Sequence, residues 1–243
     1  MVRHGEHRSL ARPVLFAGLC LLATPVQACR LALVLAMDVS ASVDPAEDQL
    51  QRGGLAAALL APDVQAAFFV SPEPVALLVF EWSGRYNQQE LIPWTMIKTP
   101  ADLLGVSETI ANSTRSHNDF PTAMVHALGH AAIRLQEGPA CLFRTIDVAG
   151  DGQNNDGFGP AEAYQAFPFD NVVVNGLVIN AGEYEAEIHL IPFYQDEVIR
   201  GPGSFLEVAQ GFEDYANAME RKLIRELSSQ VLGQIAPSGS PPG

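Results

Sequence analysis

Four short β-type segments, the first of them an unbroken apolar run, constrain this chain more than anything else in it. They are Leu31–Met37, Pro74–Trp82 (PVALLVFEW), Phe143–Val148 and Val172–Ile179. A strand that alternates apolar and polar residues keeps one face wet, whereas a continuous run marks a strand covered on both faces, as in a parallel sheet between helices. Helical patterns lie between the runs. One runs from Pro45 through Leu50, Leu55 and Leu59, and others cover Pro100–Ala111, Pro121–Leu135 and Pro160–Phe167. Gly211–Leu227 is strongly amphipathic, with Phe212, Tyr215, Met219, Leu223 and Leu227 on one face. Pro121 suits a first helical position. Gln89–Met96 reads as a shorter edge strand, Glu187–Glu197 as partly helical with Pro192 interrupting, and Ser204–Val208 as a last strand. The expected fold class is α/β: a doubly wound, mostly parallel sheet flanked by helices, with one antiparallel edge strand. Ligands of such sheets sit beyond the carboxyl ends of the strands, where the winding reverses.

The first 28 residues stand apart. Arg3, Arg8 and Arg12 form a basic region, Pro13–Val26 is apolar, and Val26-Gln27-Ala28 is a small-residue cleavage site. They read as a signal peptide cut after Ala28, which gives a periplasmic or secreted protein. The domain is expected over residues 29–230, with a disordered tail over 231–243 that ends in Pro, Gly and Ser. The whole chain carries a net charge of −14, and losing the signal with its three Arg and Glu6 leaves 11 Lys+Arg against 27 Asp+Glu. Such a surface repels nucleic acid and anionic membrane. No later segment is long and apolar enough to span a bilayer.

Cys20 leaves with the signal. Cys29 and Cys141 remain, an even pair in an exported protein, which favours a disulfide. If the first and fourth strands are parallel neighbours, both cysteines fall at the same sheet end. The competing reading takes Val26-Gln27-Ala28-Cys29 as a lipobox, with Gln27 a poor residue for its position.

Oxygen-bearing residues cluster where two of the runs end. Asp38, Ser40 and Ser42 follow the first run in DVSAS, and Asp151 follows the third in AGDGQNND. Thr122 stands in DFPTAMVHAL. Two carboxylates and three hydroxyls suit a hard cation such as Mg2+, which takes oxygen ligands and one or two carboxylates. Turn formation and helix capping account for Asp and Ser at such places equally well when each is taken alone.

Together the three elements resemble the metal-ion-dependent adhesion site (MIDAS) of von Willebrand factor A-type (vWA) domains, the integrin I-domain group. Asp38-Val39-Ser40-Ala41-Ser42 matches D-x-S-x-S, with Ala41 where Gly is common. Ala127-Leu128 follows Thr122 at the family's offset. Gly150-Asp151-Gly152 replaces the frequent Thr-Asp-Gly. The likeness runs from about Leu31 to about Leu227, and the chain is similar to a bacterial exported vWA-like family of unknown function. It implies that Ser40 and Ser42 ligate Mg2+ (or Mn2+ or Ca2+) directly, that Thr122 does so in some states, and that Asp38 and Asp151 act directly or through water. It also implies an open coordination position for an Asp or Glu of a protein partner. Glu81, Trp82 and Asp119 are candidates for the ligand face around it.

Other chemistries find little footing. DGQNNDG imitates a calcium loop, but Asp156 stands where that loop needs Gly and a strand precedes it. His126 and His130 are four apart without the H-E-x-x-H pattern. There is no G-x-S-x-G elbow, no phosphate-cradling glycine loop and no Cys–His nucleophile pair. A metal-assisted hydrolase using Asp38 and Asp151 would have only Glu81 or Asp119 as a nearby base. A structural domain with a degenerate, metal-free site is the third possibility.

Overall fold

The computed structural model describes residue 1, residues 29–180 and residues 189–235, with side chains through residue 228. The expected signal peptide with its cleavage point, and residues 236–243 of the tail, lie outside the described residues.

Among the described residues, six strands form one sheet in the order β3-β2-β1-β4-β5-β6. They are β1 (Cys29–Asp38), β2 (Val75–Ser83), β3 (Asn87–Ile97), β4 (Cys141–Gly150), β5 (Val173–Ile179) and β6 (Leu206–Ala209). All neighbours run parallel except β2 and β3. Every residue of β1 and β2 is buried, as their apolar stretches Leu31–Met37 and Val75–Phe80 require, and Arg30, Asp38, Glu81 and Ser83 are buried with them. The antiparallel edge strand β3 is longer than expected, at 11 residues. It accommodates Pro93 because its register against β2 shifts around Val79, where a bulge releases the ladder.

Helices cover both faces. On one side lie α1 (Pro45–Leu60), α2 (Pro62–Phe68), α3 (Pro100–Ala111) and α7 (Tyr215–Ile235). They bury Leu55, Leu59, Val64, Leu103, Tyr215, Met219, Leu223 and Leu227 against Leu31, Leu33 and Leu35. On the other lie α4 (Met124–Glu137), α5 (Pro160–Ala166) and α6 (Leu190–Phe193), with Met124, Leu128, Ala131 and Leu190 against Ala32, Val34 and Ala36. The alternation along β1 therefore fills two cores with one strand. A π-helical turn, Tyr194–Val198, follows α6. Pro192 falls in the first turn of α6, where a missing N–H breaks no helical bond.

Helix boundaries differ from the sequence reading as well. Helix α7 runs to Ile235, beyond Leu227, where the amphipathic stretch was expected to end. Helix α4 begins at Met124 rather than Pro121. Its cap comes from elsewhere in the chain: Asn154 Oδ1 accepts the Met124 N–H at 2.8 Å, and Asn155 Oδ1 accepts the Thr122 N–H at 2.9 Å.

Cys29 and Cys141 are direct partners across the β1–β4 ladder and form a disulfide, with Cα atoms 4.5 Å apart. The Cys29 sulfur is thereby committed, which leaves no thiol for a lipid thioether. Beneath α7, Lys222 Nζ lies 2.9 Å from Asp147 Oδ1 and 3.0 Å from Glu226 Oε1, all three side chains buried. Burial, with the Glu226 charge, pushes Asp147 up to about 7.

Candidate metal centre

β1 is the switch point of the sheet. From it the chain winds one way through β2 to β3 and, after returning, the other way through β4, β5 and β6. Asp38 ends β1 and Asp151 follows the last residue of β4. The two carboxylates are brought to the crevice where doubly wound sheets hold ligands.

The five oxygen-bearing side chains do converge. Thr122 Oγ1 donates to Ser40 Oγ at 3.1 Å, and Ser40 Oγ lies 3.1 Å from Ser42 Oγ. Ser42 Oγ donates to Asp151 Oδ1 at 2.8 Å. With Thr122 as first donor, Ser40 passes its own proton toward Ser42, so the three hydroxyls form one relay ending on a carboxylate. Asp38 lies beneath them, completely buried. Its Oδ1 accepts the Ser40 N–H at 2.7 Å, and its Oδ2 has no hydrogen-bond partner. A buried carboxylate oxygen without a donor is costly, and a cation is one remedy.

The first loop is held by donors that sequence patterns did not single out. Arg115, in the loop between α3 and α4, donates from Nη2 to the carbonyls of Val39 and Ser40, both at 2.7 Å, and from Nη1 to that of Val43. Gln51 Nε2 donates to the Asp38 carbonyl at 2.9 Å. The Ala41 N–H donates to the Phe120 carbonyl at 2.9 Å. The only signal for Arg115 in the sequence is that cations are scarce in this acidic chain and this one sits in a loop. Asn154 and Asn155, from the DGQNNDG loop, fix the Thr122 segment. Asn155 adds its own N–H to the Thr122 carbonyl at 2.9 Å.

The ligand-face candidates divide. Glu81 is wholly buried under α1, paired with Arg52 and accepting the Ser116 N–H at 2.7 Å on Oε1. It braces the loop that carries Thr122 and does not face solvent, nor is it free to act as a base. Trp82 is also wholly buried, packed with Phe80 and Leu78 in the core against α4. β2 stays covered on both faces through Ser83, one residue past the point where the sequence suggested exposure. Asp119 is exposed beside Phe120. Among described residues the exposed Phe, Tyr and Trp side chains are Tyr86, Phe120 and Phe158. All three stand on loops at the Asp38 end of the sheet. Arg85 and Asp156, neighbours of two of them, tie those loops by an ion pair at 2.7 Å.

The glycines beside Asp151 have a spatial reason. A Cβ on Gly150 would come within 2.9 Å of Asp38 Oδ2, and one on Gly152 within 3.3 Å of Thr122 Oγ1. Thr in place of Gly150 would crowd the Asp38 carboxylate where the backbone runs here.

Burial, and after it the charge of Asp151, pushes Asp38 up to about 8 from an ordinary 3.8. Without metal the folded protein therefore keeps a proton that the unfolded chain releases between those values. That stabilisation is complete below about 4 and lost as the pH rises through 8. Asp147 contributes with the same sign. In EDTA the melting temperature should fall between pH 5 and pH 8.5, and Asp38→Asn should flatten part of that slope, as read by differential scanning fluorimetry. An unchanged slope in the variant would place the titration elsewhere. A divalent ion binds the ionised form, so its affinity should rise over the same interval.

Donor set, convergence and the orphaned Asp38 oxygen fit a hard divalent cation. Among described residues no cluster of three or more His, Cys, Asp and Glu is present, so the site would depend on hydroxyls to complete an oxygen shell. Ser40, Ser42, Thr122, Asp38 and Asp151 would hold the ion.

Strand order, a single antiparallel edge and helices on both faces give the fold that vWA-type domains share. The chain belongs to the family described as "Protein of unknown function (DUF1194)", whose model matches residues 28–231. Among solved structures, proximal thread matrix protein 1 from the mussel byssus is similar, with a TM-score of 0.58 and 16% identity over 83% of this chain and 48% of that one. A further structure of that protein, at TM-score 0.57, is described with a zinc-occupied MIDAS motif. A von Willebrand factor type A structure from Catenulispora acidiphila matches at TM-score 0.54 and 15% identity, over 82% of this chain and 43% of that one. The pilus adhesin SpaC from Lactobacillus rhamnosus GG matches at 0.56 and 12%, over 84% and 31%. This chain thus spans about half the length of the mussel protein and less of the other two. At these identities the likeness is one of fold. No curated protein matches the chain.

Proposed function

We propose that this is an exported protein-binding module whose Mg2+ (or Mn2+ or Ca2+) site takes an Asp or Glu from a protein partner. The observation that carries the reading is the convergence of Thr122, Ser40, Ser42 and Asp151 in one hydrogen-bonded chain above the unpartnered Asp38 oxygen. Five protein oxygens leave an octahedral ion at least one position for water or an outside ligand. A carboxylate there gains charge attraction that neutral ligands lack. The surrounding loops present Tyr86, Phe120 and Phe158 to solvent, and aromatic residues are enriched at protein interfaces. The zinc-occupied site of the mussel protein and the adhesin among the similar structures agree with this reading, and the disulfide agrees with an oxidising, extracytoplasmic location.

Capture of a partner from periplasmic extract on immobilised protein should need metal. EDTA should abolish it, and Thr122→Ala should weaken the captured complex about tenfold in surface plasmon resonance while leaving the melting temperature in EDTA near wild type. Replacing the partner's acidic residue by its amide should match the EDTA result, since a bound carboxylate is worth more than a neutral ligand. A partner held equally well in EDTA would show that recognition uses another face.

A further inference from the structure

Two glycines on adjacent strands open a slot at the back of the candidate metal centre, and one tyrosine fills it. Tyr194 opens the π-helical turn after α6, and its side chain is wholly buried. Its ring lies against Gly176 of β5, where an added Cβ would come within 2.8 Å of Cδ1. Its hydroxyl lies against Gly150 of β4, where an added Cβ would come within 2.8 Å of the oxygen. The β4–β5 register pairs Gly150 with Val178 and Val148 with Gly176, so the bare positions are diagonal neighbours and the ring crosses from one strand to the next. Asp38 Oδ2 lies 2.9 Å from the same point above Gly150. Neither this oxygen nor the Tyr194 hydroxyl has a hydrogen-bond partner.

Two buried orphans that lie 2.8 and 2.9 Å from one point above a glycine are chemically matched: a phenol donates and a carboxylate accepts. We propose that Tyr194 is a positioning residue of the metal centre, its hydroxyl donating to Asp38 Oδ2, directly or through one water, and fixing the carboxylate for the ion. The role rests on the metal-binding reading above. Oδ1 is already held by the Ser40 N–H, so a donor on Oδ2 fixes the carboxylate plane from its second side. The remaining lone pair of Oδ2 stays available to the ion or its water. Burial, with the charges of Asp38, Asp151 and Asp147, raises the Tyr194 hydroxyl well above its ordinary pKa, so it keeps the proton it must donate. An ionised Asp38 makes the bond charge-assisted, the stronger kind. Outer partners of metal ligands typically change affinity about 10–100-fold when removed.

Tyr194→Phe removes the hydroxyl and keeps the ring. Calorimetric titration with Mn2+ should find its affinity about tenfold or more below wild type. Its melting temperature in EDTA should stay near wild type, because the ring that fills the slot is kept, so a lost affinity would not be a lost fold. Tyr164→Phe is the control, since that hydroxyl donates to the Val198 carbonyl, and its Mn2+ affinity should be unchanged. Gly176→Ala, which crowds the ring and Leu206 without touching a ligand, should weaken Mn2+ binding in the same direction as Tyr194→Phe. Mn2+ affinity in Tyr194→Phe within twofold of wild type would overturn the role. A wild type that takes up no Mn2+ would overturn the metal reading itself, and the role with it.

Discussion

Cys29→Ala/Cys141→Ala should melt about 10–20 °C below the oxidised wild type. The bond spans 112 residues of sequence, which takes in β1, α1, α2, β2, β3, α3 and α4. In the chain-entropy model, a cross-link closing a loop of about 100 residues removes about 4.7 kcal/mol of freedom from the unfolded state. A domain of this size gains about 2–4 °C for each kcal/mol, and single domains rarely hold more than about 15 kcal/mol in all. Mass spectrometry with and without reduction before alkylation should show two thiols only after reduction. A double variant melting within about 3 °C of wild type would mean that the unfolded chain is already restrained near these positions, or that native strain cancels the gain.

The second large effect is metal-dependent. At a metal concentration about 100 times Kd, a ligand that binds only the folded state adds about 2.7 kcal/mol, or about 5–10 °C here. Mg2+ and Mn2+ should each raise the melting temperature of wild type by that order. Asp38→Ala and Asp151→Ala should lose the response. Both variants should still unfold cooperatively in EDTA, so that the lost response is read on a folded domain. If both variants respond to metal as wild type does, the ion binds elsewhere.

Much of the architecture was legible in the sequence because buried parallel strands leave an unmistakable mark. Leu31–Met37 and Val172–Ile179 had no other stable reading, and helical periods between the runs fixed the fold class. That the five oxygen residues share one sheet edge was legible too, since each ends a strand or sits in a loop there. What escaped was whatever acts across long separations in sequence. The start of α4 was misplaced because its caps, Asn154 and Asn155, come about 30 residues later. Arg115 works on carbonyls more than 70 residues away, and no local pattern announces that. Glu81 and Trp82 were placed on the ligand face because they end an apolar run, yet the loops around Ser40 and Ser116 close over that strand end. Tyr194 gave no sign at all; its meaning depends on the absence of side chains at Gly150 and Gly176.

The cross-link and the metal carboxylates sit at opposite ends of the same two strands. Asp38 closes β1, Asp151 follows β4, and Cys29 and Cys141 face each other where the ladder begins. In any ladder, sliding one strand by a single residue turns every side chain to the other face. For β1 against β4 that slip would swing Asp38 away from Asp151 and into the opposite core. A covalent bolt between directly opposed residues removes the slipped arrangement from the ensemble. The distance between the two acids is thus gauged from the far end of the molecule, by a bond that takes no part in whatever they hold.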